Sequence, residues 1–246
     1  MNESGVKPLA LSNRAAWGVA AAATLLWSVA ILLWMQVGLD RWVLIGHTGL
    51  RTNGLVAGIG QLASRYGMSL IVLVYLIYLF FANKSARLRG AYPVYLLVLL
   101  LFGVAGPAGD ILKEIVNRPR PFVEYGLETF ALHVSGSPSF PSGHATKSVA
   151  LALPFLLFVT AEDRWHKAAK VLLVILALGV CYSRVMLGAH YLSDVLAGAG
   201  MALICAPLAT LLANKLLARM DDRIVARRVT VWAVALVGLM VFTAVI

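Results

Sequence analysis

The sequence predicts an all-α integral membrane protein built around six transmembrane helices, with a possible seventh at the C-terminus. Hydrophobic residues make up 61% of the 246 positions and charged residues only 13%, whereas an ordinary soluble domain has roughly 25% charged residues. Mean hydropathy is +0.85. The apolar runs are long enough to cross roughly 30 Å of hydrocarbon. Because they are continuous and do not alternate with polar residues, they favour helices over a membrane β-barrel.

Seven apolar segments are the candidate spans, and we expect residues 1–246 to form a single membrane domain. In chain order the segments cover residues 15–36, 67–82, 91–112, 143–160, 168–187, 191–217 and, as the possible extra span, 229–246. The first is longer than the apolar core of a signal peptide, which has about 7–15 residues, so we expect it to be retained. The segment "RTNGLVAGIGQLASR" at 51–65 is apolar but too short to cross, and we expect it to lie at the membrane interface.

The distribution of charge predicts the orientation of the chain. The formal net charge is +10, but the basic residues lie in short loops and no nucleic-acid-binding module is visible, so nucleic acid is not an expected partner. With the N-terminus inside, the inner segments hold almost twice as many Lys and Arg residues as the outer ones, as is typical of cytoplasmic loops. The loops after the third and fifth spans would then share the outer face with the start of the fourth span.

Three polar blocks lie at the span ends on that outer face. They read "KEIVNRPRP" at 113–121, "PSGH" at 141–144 and "SRVMLGAHYLSD" at 183–194. Lys113, Arg120 and Arg184 supply three cations with few acids nearby, as the binding of a dianionic phosphate would require. The alternative for each cation is a side chain that only extends from the membrane to the interface.

The second and third blocks contain residues suited to phosphoryl chemistry. Ser142 and Gly143 stand at a helix start, where free backbone N–H groups can bind an anion, although an ordinary helix cap is the alternative. His190 and Asp194 are four residues apart and would share a helix face, so that the carboxylate accepts the Nδ1 proton and leaves Nε2 basic. Histidine can carry a covalent phosphoryl group, and His144 can protonate the leaving oxygen. A metal site is the alternative for these side chains, but no cluster of further acids or cysteines stands beside them.

Two cysteines complete the set of reactive residue types. Cys181 and Cys205 both lie inside apolar runs, where an unpaired thiol usually behaves as a small buried hydrophobe. They predict neither a disulfide framework nor a metal site.

Taken together, the three blocks resemble the type 2 phosphatidic acid phosphatase (PAP2) superfamily. The pattern of that superfamily is Lys-x6-Arg-Pro, Pro-Ser-Gly-His and Ser-Arg-x5-His-x3-Asp, and every specified position is matched between Lys113 and Asp194. The resemblance implies a PAP2-type helical bundle whose six-span core covers about 15–217. The continuous apolar spans favour the bacterial membrane lipid phosphatase branch over the soluble acid phosphatases and vanadate-dependent haloperoxidases. A seventh span would depart from the common layout and touch none of the motif positions.

The resemblance also implies hydrolysis of a phosphoester or phosphoanhydride without a metal or other cofactor. His190 would be the nucleophile, Asp194 its orienting partner, and His144 the acid that protonates the leaving group and then activates water. The residues that would bind the phosphoryl oxygens are Lys113, Arg120, Ser142, Gly143 and Arg184.

The expected partners are the bilayer and a lipid phosphate. Bacterial members of the branch act on polyprenyl diphosphates such as undecaprenyl diphosphate, on phosphatidylglycerophosphate, on phosphatidic acid and on lipid A phosphates. We expect a polyprenyl or phospholipid phosphatase in the bacterial inner membrane, with its active site on the periplasmic or extracellular side. The alternatives are a lipid A phosphatase, a phosphotransferase that passes the phosphate to another lipid, and a transporter or lipid-binding protein. The sequence does not predict an oligomeric state.

Two features remain open at this stage. Lys147 lies three residues after His144 and either extends to the interface or contacts the substrate; no motif position covers it. The loop at 122–140 is either a gate that borders the pocket or a solvated connector.

Overall fold

The computed structural model describes residues 8–82, 92–126, 136–160 and 163–220, together with residues 231, 234, 237 and 238. Within these residues the chain forms helices and connecting segments without any strand, which confirms the predicted all-α class. In chain order the helices are α1 (Asn13–Met35), α2 (Val37–Gly46), α3 (Thr48–Thr52), α4 (Gly54–Ala82), α5 (Tyr92–Val116), α6 (Pro121–Glu124), α7 (Gly143–Phe158), α8 (Arg164–Met186) and α9 (Leu192–Leu217).

Five of these helices are long and apolar enough to cross a membrane, namely α1, α4, α5, α8 and α9. The fourth predicted span is α7, which has 16 residues and is therefore only about 24 Å long at 1.5 Å per residue. These long apolar helices indicate an integral membrane protein. The possible seventh span at 229–246 lies outside the described residues, apart from four helical residues at 231, 234, 237 and 238, and stays a prediction.

The interfacial segment expected at 51–65 is not a separate element. Residues 54–65 form the first part of α4, which continues without a break for 29 residues. Glycines weaken an isolated helix, but here they allow α4 to pack closely on α8. A Cβ atom on Gly60 would lie 1.8 Å from Met186 Cε, and one on Gly67 would lie 2.3 Å from Val180 Cγ2. Tertiary packing therefore extends the predicted second span.

The short helix α7 lies at the centre of the bundle. It packs against α4, α5, α8 and α9, while α1 packs on α9 at the periphery. The start of α7 comes very close to α9, because a Cβ atom on Gly198 would lie 2.4 Å from the carbonyl oxygen of Ser142. The Ser142 N–H donates to the Asp194 carbonyl across the same contact, at 2.9 Å. This crossing brings the second and third polar blocks together.

Candidate active site

All eight predicted site residues lie in the described part of the chain, at one end of the bundle. Lys113 is in the last turn of α5, Arg120 follows it, and Ser142 and Gly143 begin α7. His144 follows in the first turn of α7, and the other three come from the end of α8, the loop after it and the first turn of α9. Five of the eight are buried, namely Lys113, Arg120, Ser142, His190 and Asp194. The fold therefore brings together three blocks that are separated along the chain.

His190 lies in the loop between α8 and α9, not on a helix. Its N–H donates to the carbonyl of Arg184 at 3.1 Å, and Gly188 reverses the chain with φ 68°, a conformation that L-residues with a side chain rarely adopt. The prediction that His190 and Asp194 share a helix face was therefore wrong. Helix α9 begins only at Leu192, and the two residues approach each other because Asp194 folds back over the start of α9, where its Oδ2 accepts the Tyr191 N–H at 3.0 Å.

Ser139 stands between the imidazole and the carboxylate. His190 Nδ1 is 3.5 Å from Asp194 Oδ2, whereas the Ser139 hydroxyl oxygen is 3.3 Å from Nδ1 and donates its own proton to Asp194 Oδ2. A hydrogen bond from Nδ1 to the carboxylate would be unusually long at this separation. The predicted partner is thus nearby, but a hydroxyl bridges the pair.

The other ring nitrogen of His190 faces Arg120. The Arg120 guanidinium, which can only donate, lies 3.2 Å from Nε2. Nε2 therefore carries the lone pair and Nδ1 the proton in this tautomer. Burial, followed by the positive charges of Arg120 and Arg184, holds the pKa of His190 well below its ordinary value. The imidazole is neutral near pH 7 and its free lone pair lies among cations.

The three predicted cations are close to this lone pair without a carboxylate partner. Within the described residues, neither Lys113, Arg120 nor Arg184 forms an ion pair. Arg120 is oriented by Ser137, whose carbonyl accepts from Nε at 2.8 Å and whose hydroxyl accepts at 2.9 Å. Lys113 Nζ lies 3.4 Å from the position that a Cβ atom on Gly143 would take. The ammonium therefore lies in van der Waals range of the start of α7.

Two buried polar atoms at this site lack a hydrogen-bond partner among the described residues, Ser142 Oγ and Arg184 Nε. Ser142 occupies the N-cap position of α7, yet its side chain makes no capping hydrogen bond, so the ordinary cap does not account for it. A buried polar group without a partner costs roughly 1–3 kcal/mol. Both atoms can donate a hydrogen bond of the kind that a phosphate oxygen accepts.

His144 is half-buried in the first turn of α7. It lies within electrostatic reach of Arg184 and His190, on the same side of the bundle as the predicted nucleophile. This placement is compatible with the predicted acid and base role.

Lys147 is half-buried one turn further along α7. Its Nζ lies 6.0 Å from the centre of the Phe102 ring, and its Cε is 3.8 Å from the position of a Cβ atom on Gly106. Both of these residues belong to α5. Within the described residues its ammonium makes no hydrogen bond to a predicted site residue, although its charge reaches Lys113 and His144.

The sequence did not identify Ser139, Arg118 or Asp40 as site residues. Arg118 NH1 lies 2.7 Å from Asp194 Oδ1, and its NH2 lies 3.0 Å from Asp40 Oδ2. Arg118 belongs to the first polar block and Ser139 stands just before the second, so proximity to the motifs was a usable signal for both. Asp40 lies on α2, far from the motifs, and only its burial identifies it.

The loop predicted as a gate or connector is described only at its two ends, since residues 127–135 lie outside the described residues. At its start, Tyr191 donates its hydroxyl proton to Glu124 of α6. The Arg41 guanidinium stands 5.4 Å from the centre of the Tyr125 ring. These contacts join α2, α6 and the start of α9 beside the site.

A metal site receives no support from the arrangement of ligand side chains. No group of three or more His, Cys, Asp or Glu side chains gathers as a metal site would need, within the residues that the structure describes. Cys181 and Cys205 are buried free thiols. Hydrolysis without a metal stays a prediction.

Comparison with known proteins places this site in a family. The model of the PAP2 superfamily matches residues 91–218, just over half of the chain. The chain is 32% identical over 158 residues to the lipid A 1-phosphatase of Rhizobium johnstonii, covering 58% of this chain and 62% of the relative. It is 28% identical over 156 residues to the undecaprenyl-diphosphatase BcrC of Bacillus subtilis, covering 62% of this chain and 72% of the relative. The chain thus spans about three-fifths of the length of the Rhizobium protein.

A solved structure is also similar over most of the chain. It is the crystal structure of a transmembrane PAP2 type phosphatidylglycerolphosphate phosphatase from Bacillus subtilis, which is 26% identical to this chain and superimposes on it with a TM-score of 0.55. The match covers 82% of this chain and 96% of that one. The two proteins share a transmembrane helical fold around the motif region.

Proposed function

Because the chain belongs to the PAP2 superfamily, we propose that it is a membrane lipid phosphatase that transfers the phosphoryl group of its substrate to His190 and then to water. The family and the relatives named as phosphatases indicate a phosphoric ester hydrolase. The observation that carries the proposal is the environment of His190, whose neutral imidazole lies among three cations with no ion-pair partner within the described residues. A dianionic phosphate would balance these positive charges and would accept hydrogen bonds from the N–H groups of the three cations.

The first step forms a bond between His190 Nε2 and phosphorus and breaks the bond to the leaving oxygen. The Arg120 proton donor that now faces Nε2 turns to a phosphoryl oxygen, which frees the lone pair for attack. Lys113, Arg184, Ser142 Oγ and the N–H groups at the start of α7 bind the equatorial oxygens, where charge accumulates. His144 gives its proton to the leaving oxygen.

The second step hydrolyses the phosphohistidine. His144 takes a proton from water, the oxygen of that water attacks phosphorus, and the electron pair of the nitrogen–phosphorus bond returns to Nε2. Nδ1 keeps its proton throughout, because Ser139 and Asp194 face it. Asp194 stabilises the positive charge that the ring carries while it is phosphorylated.

The substrate is a lipid whose phosphate or diphosphate reaches the site from the bilayer. The site lies at the ends of α5, α8 and α9, which are long and apolar enough to cross a membrane, and relatives are named for undecaprenyl diphosphate, lipid A and phosphatidylglycerophosphate. We favour a polyprenyl diphosphate or a phospholipid such as phosphatidylglycerophosphate or phosphatidic acid. A lipid A phosphatase or a phosphotransferase is the second candidate, supported by the 32% identity to the Rhizobium protein.

The proposed location is the bacterial inner membrane with the site facing outward, as the excess of Lys and Arg in the inner loops favours. Gly136 is exposed beside the site, and Gly136→Cys offers a thiol there. In intact cells this thiol should react with a membrane-impermeant reagent. Labelling by membrane-permeant reagents alone would show that the site faces the cytoplasm instead.

Phosphate release by the purified protein tests the function. Wild type, His190→Ala and the matched control His166→Ala, which lies at the opposite end of α8, are incubated in EDTA with undecaprenyl diphosphate, phosphatidylglycerophosphate, phosphatidic acid and lipid A. We expect wild type and the control to release phosphate and His190→Ala to lose nearly all activity. Loss of wild-type activity in EDTA would contradict the metal-free mechanism, and an active His190→Ala would contradict the nucleophile. Phosphate found on a second lipid would identify a phosphotransferase.

A further inference from the structure

The geometry points to Asp40 of α2 as a positioning residue for the reaction, acting on Asp194 through the guanidinium of Arg118. This inference rests on the proposed function, because it concerns the carboxylate that faces His190. Asp40 lies outside the motif region and outside the residues matched by the family model, 91–218.

Asp40 is buried as completely as a catalytic residue, with 1% of its side chain exposed. Its Oδ2 accepts from Arg118 NH2 at 3.0 Å and from the Ser193 hydroxyl. Its Oδ1 accepts the Ser193 backbone N–H at 3.1 Å. Taking a carboxylate out of water is costly unless it is paired and hydrogen-bonded, and these bonds offset that cost for Asp40.

Arg118 is fixed in one orientation by groups on several sides. One nitrogen binds Asp40, while the other lies 2.7 Å from Asp194 Oδ1 and 2.7 Å from the Ser193 hydroxyl. The guanidinium carbon also stands 3.9 Å from the centre of the Tyr191 ring. Because Arg118 holds Oδ1 of Asp194, the opposite oxygen, Oδ2, is turned toward Ser139 and His190. Asp40 thus sets the direction of the carboxylate that faces the nucleophile.

The second effect of Asp40 concerns charge. Asp40 and Asp194 only accept in these hydrogen bonds and donate in none of them, which is the pattern of two ionised carboxylates. Two negative charges share one guanidinium, so the cluster keeps a net negative charge beside the imidazole. Without Asp40, Arg118 would neutralise Asp194 alone. The positively charged phosphohistidine, which forms only during turnover, would therefore be less stable, whereas substrate binding would be unchanged.

The test compares Asp40→Asn with wild type in steady-state phosphate release on the best substrate of the panel. Asn has nearly the same shape as Asp but lacks the charge and cannot accept at both positions. We expect kcat to fall by about tenfold or more while KM changes by less than about twofold. Asp163→Asn serves as the matched control, since it caps α8 at the other end of that helix, and it should leave kcat unchanged.

A double-mutant cycle separates positioning from general stability. In an Asp194→Asn background, Asp40→Asn should cause little further loss of kcat, because its effect passes through Asp194. An equal loss in both backgrounds, or a kcat equal to wild type, would overturn the inference. If Asp40→Asn does not fold, Arg118→Lys replaces it in the cycle, because lysine keeps the charge but cannot bridge two carboxylates with a planar fork. Inactive wild type or active His190→Ala would contradict the proposed function itself, whereas an unchanged Asp40→Asn beside an inactive His190→Ala contradicts only this inference.

Discussion

Replacing Gly198 by alanine tests whether the close crossing of α7 and α9 sets the geometry of the site. The new Cβ atom would lie 2.4 Å from the Ser142 carbonyl oxygen and 3.2 Å from Ala145 Cβ. Contacts under 3.0 Å are essentially never made by real Cβ atoms, and the oxygen belongs to the backbone. The start of α7 must therefore move away from α9 by about 0.6 Å or more, in a core that is too closely packed to absorb it.

This movement has two expected consequences. Overpacking costs roughly 1–3 kcal/mol, of which the better helix propensity of alanine returns about 0.5–1 kcal/mol. The shift also carries Ser142 and Gly143 away from His190, and a misplacement of about 1 Å can lower turnover by about a hundredfold. We expect Gly198→Ala to be modestly less stable and to lose between about ten- and a hundredfold in kcat.

The assay combines thermal unfolding in detergent with phosphate release by the same preparation. Gly179→Ala is the matched control, because a Cβ atom on this glycine of α8 would meet no atom within 4 Å. The control should be as stable as wild type or slightly more stable, with unchanged turnover. If Gly198→Ala retained wild-type kcat and stability, the claim that this crossing positions the phosphate-binding end of α7 would be refuted.

Two further predictions concern the charges around the site. Burial and then the charge of Arg120 hold the pKa of His190 below its ordinary value, so kcat/KM should fall on the acid side only below the pH at which an ordinary histidine titrates. Arg120→Gln removes one cause of the low pKa and should move this acid limb of the pH–rate profile to higher pH. An unmoved limb would assign the titration to another group. Lys147→Met should leave the ratio of diphosphate to monophosphate hydrolysis unchanged, since Nζ lies 6.0 Å from the centre of the Phe102 ring and Cε lies near Gly106 of the same helix. A selective loss with diphosphates would instead place the ammonium at the leaving phosphate.

The membrane class, five of the predicted spans and the convergence of the three polar blocks could be predicted from the sequence. Consecutive spans reverse direction, so span ends on one face must lie near each other, and the motifs stand at such ends. The first part of α4 could not be predicted, because glycines that break an isolated helix are here the contact points for Met186 and Val180 on α8. The contacts that stabilise this part of α4 are made with α8, so the local sequence of α4 does not reveal them.

The detailed geometry around His190 was also beyond the sequence. The spacing of His190 and Asp194 indicated that the two are neighbours, but not that the helix begins only after His190 or that Ser139 enters between them. Asp40 and Ser193 are separated by 153 positions along the chain, and an aspartate in a connection between spans is usually solvated. Its burial depends on Arg118, so it becomes visible only when the helices are packed.

Under the proposed function, the length of α7 would set how deep in the membrane the reaction takes place. A helix of 16 residues is about 24 Å long, about 6 Å less than the hydrocarbon thickness of an average bilayer. If its far end lies level with one hydrocarbon boundary, a phosphate held at Ser142 sits below the opposite boundary, under the plane of the lipid headgroups. A lipid can reach this depth by moving sideways with its chains still among other lipids, whereas a water-soluble phosphate ester would have to descend into a recess walled by membrane helices. For the proposed lipid phosphatase, the short central helix would thus favour amphiphilic substrates before any side chain contacts the phosphate.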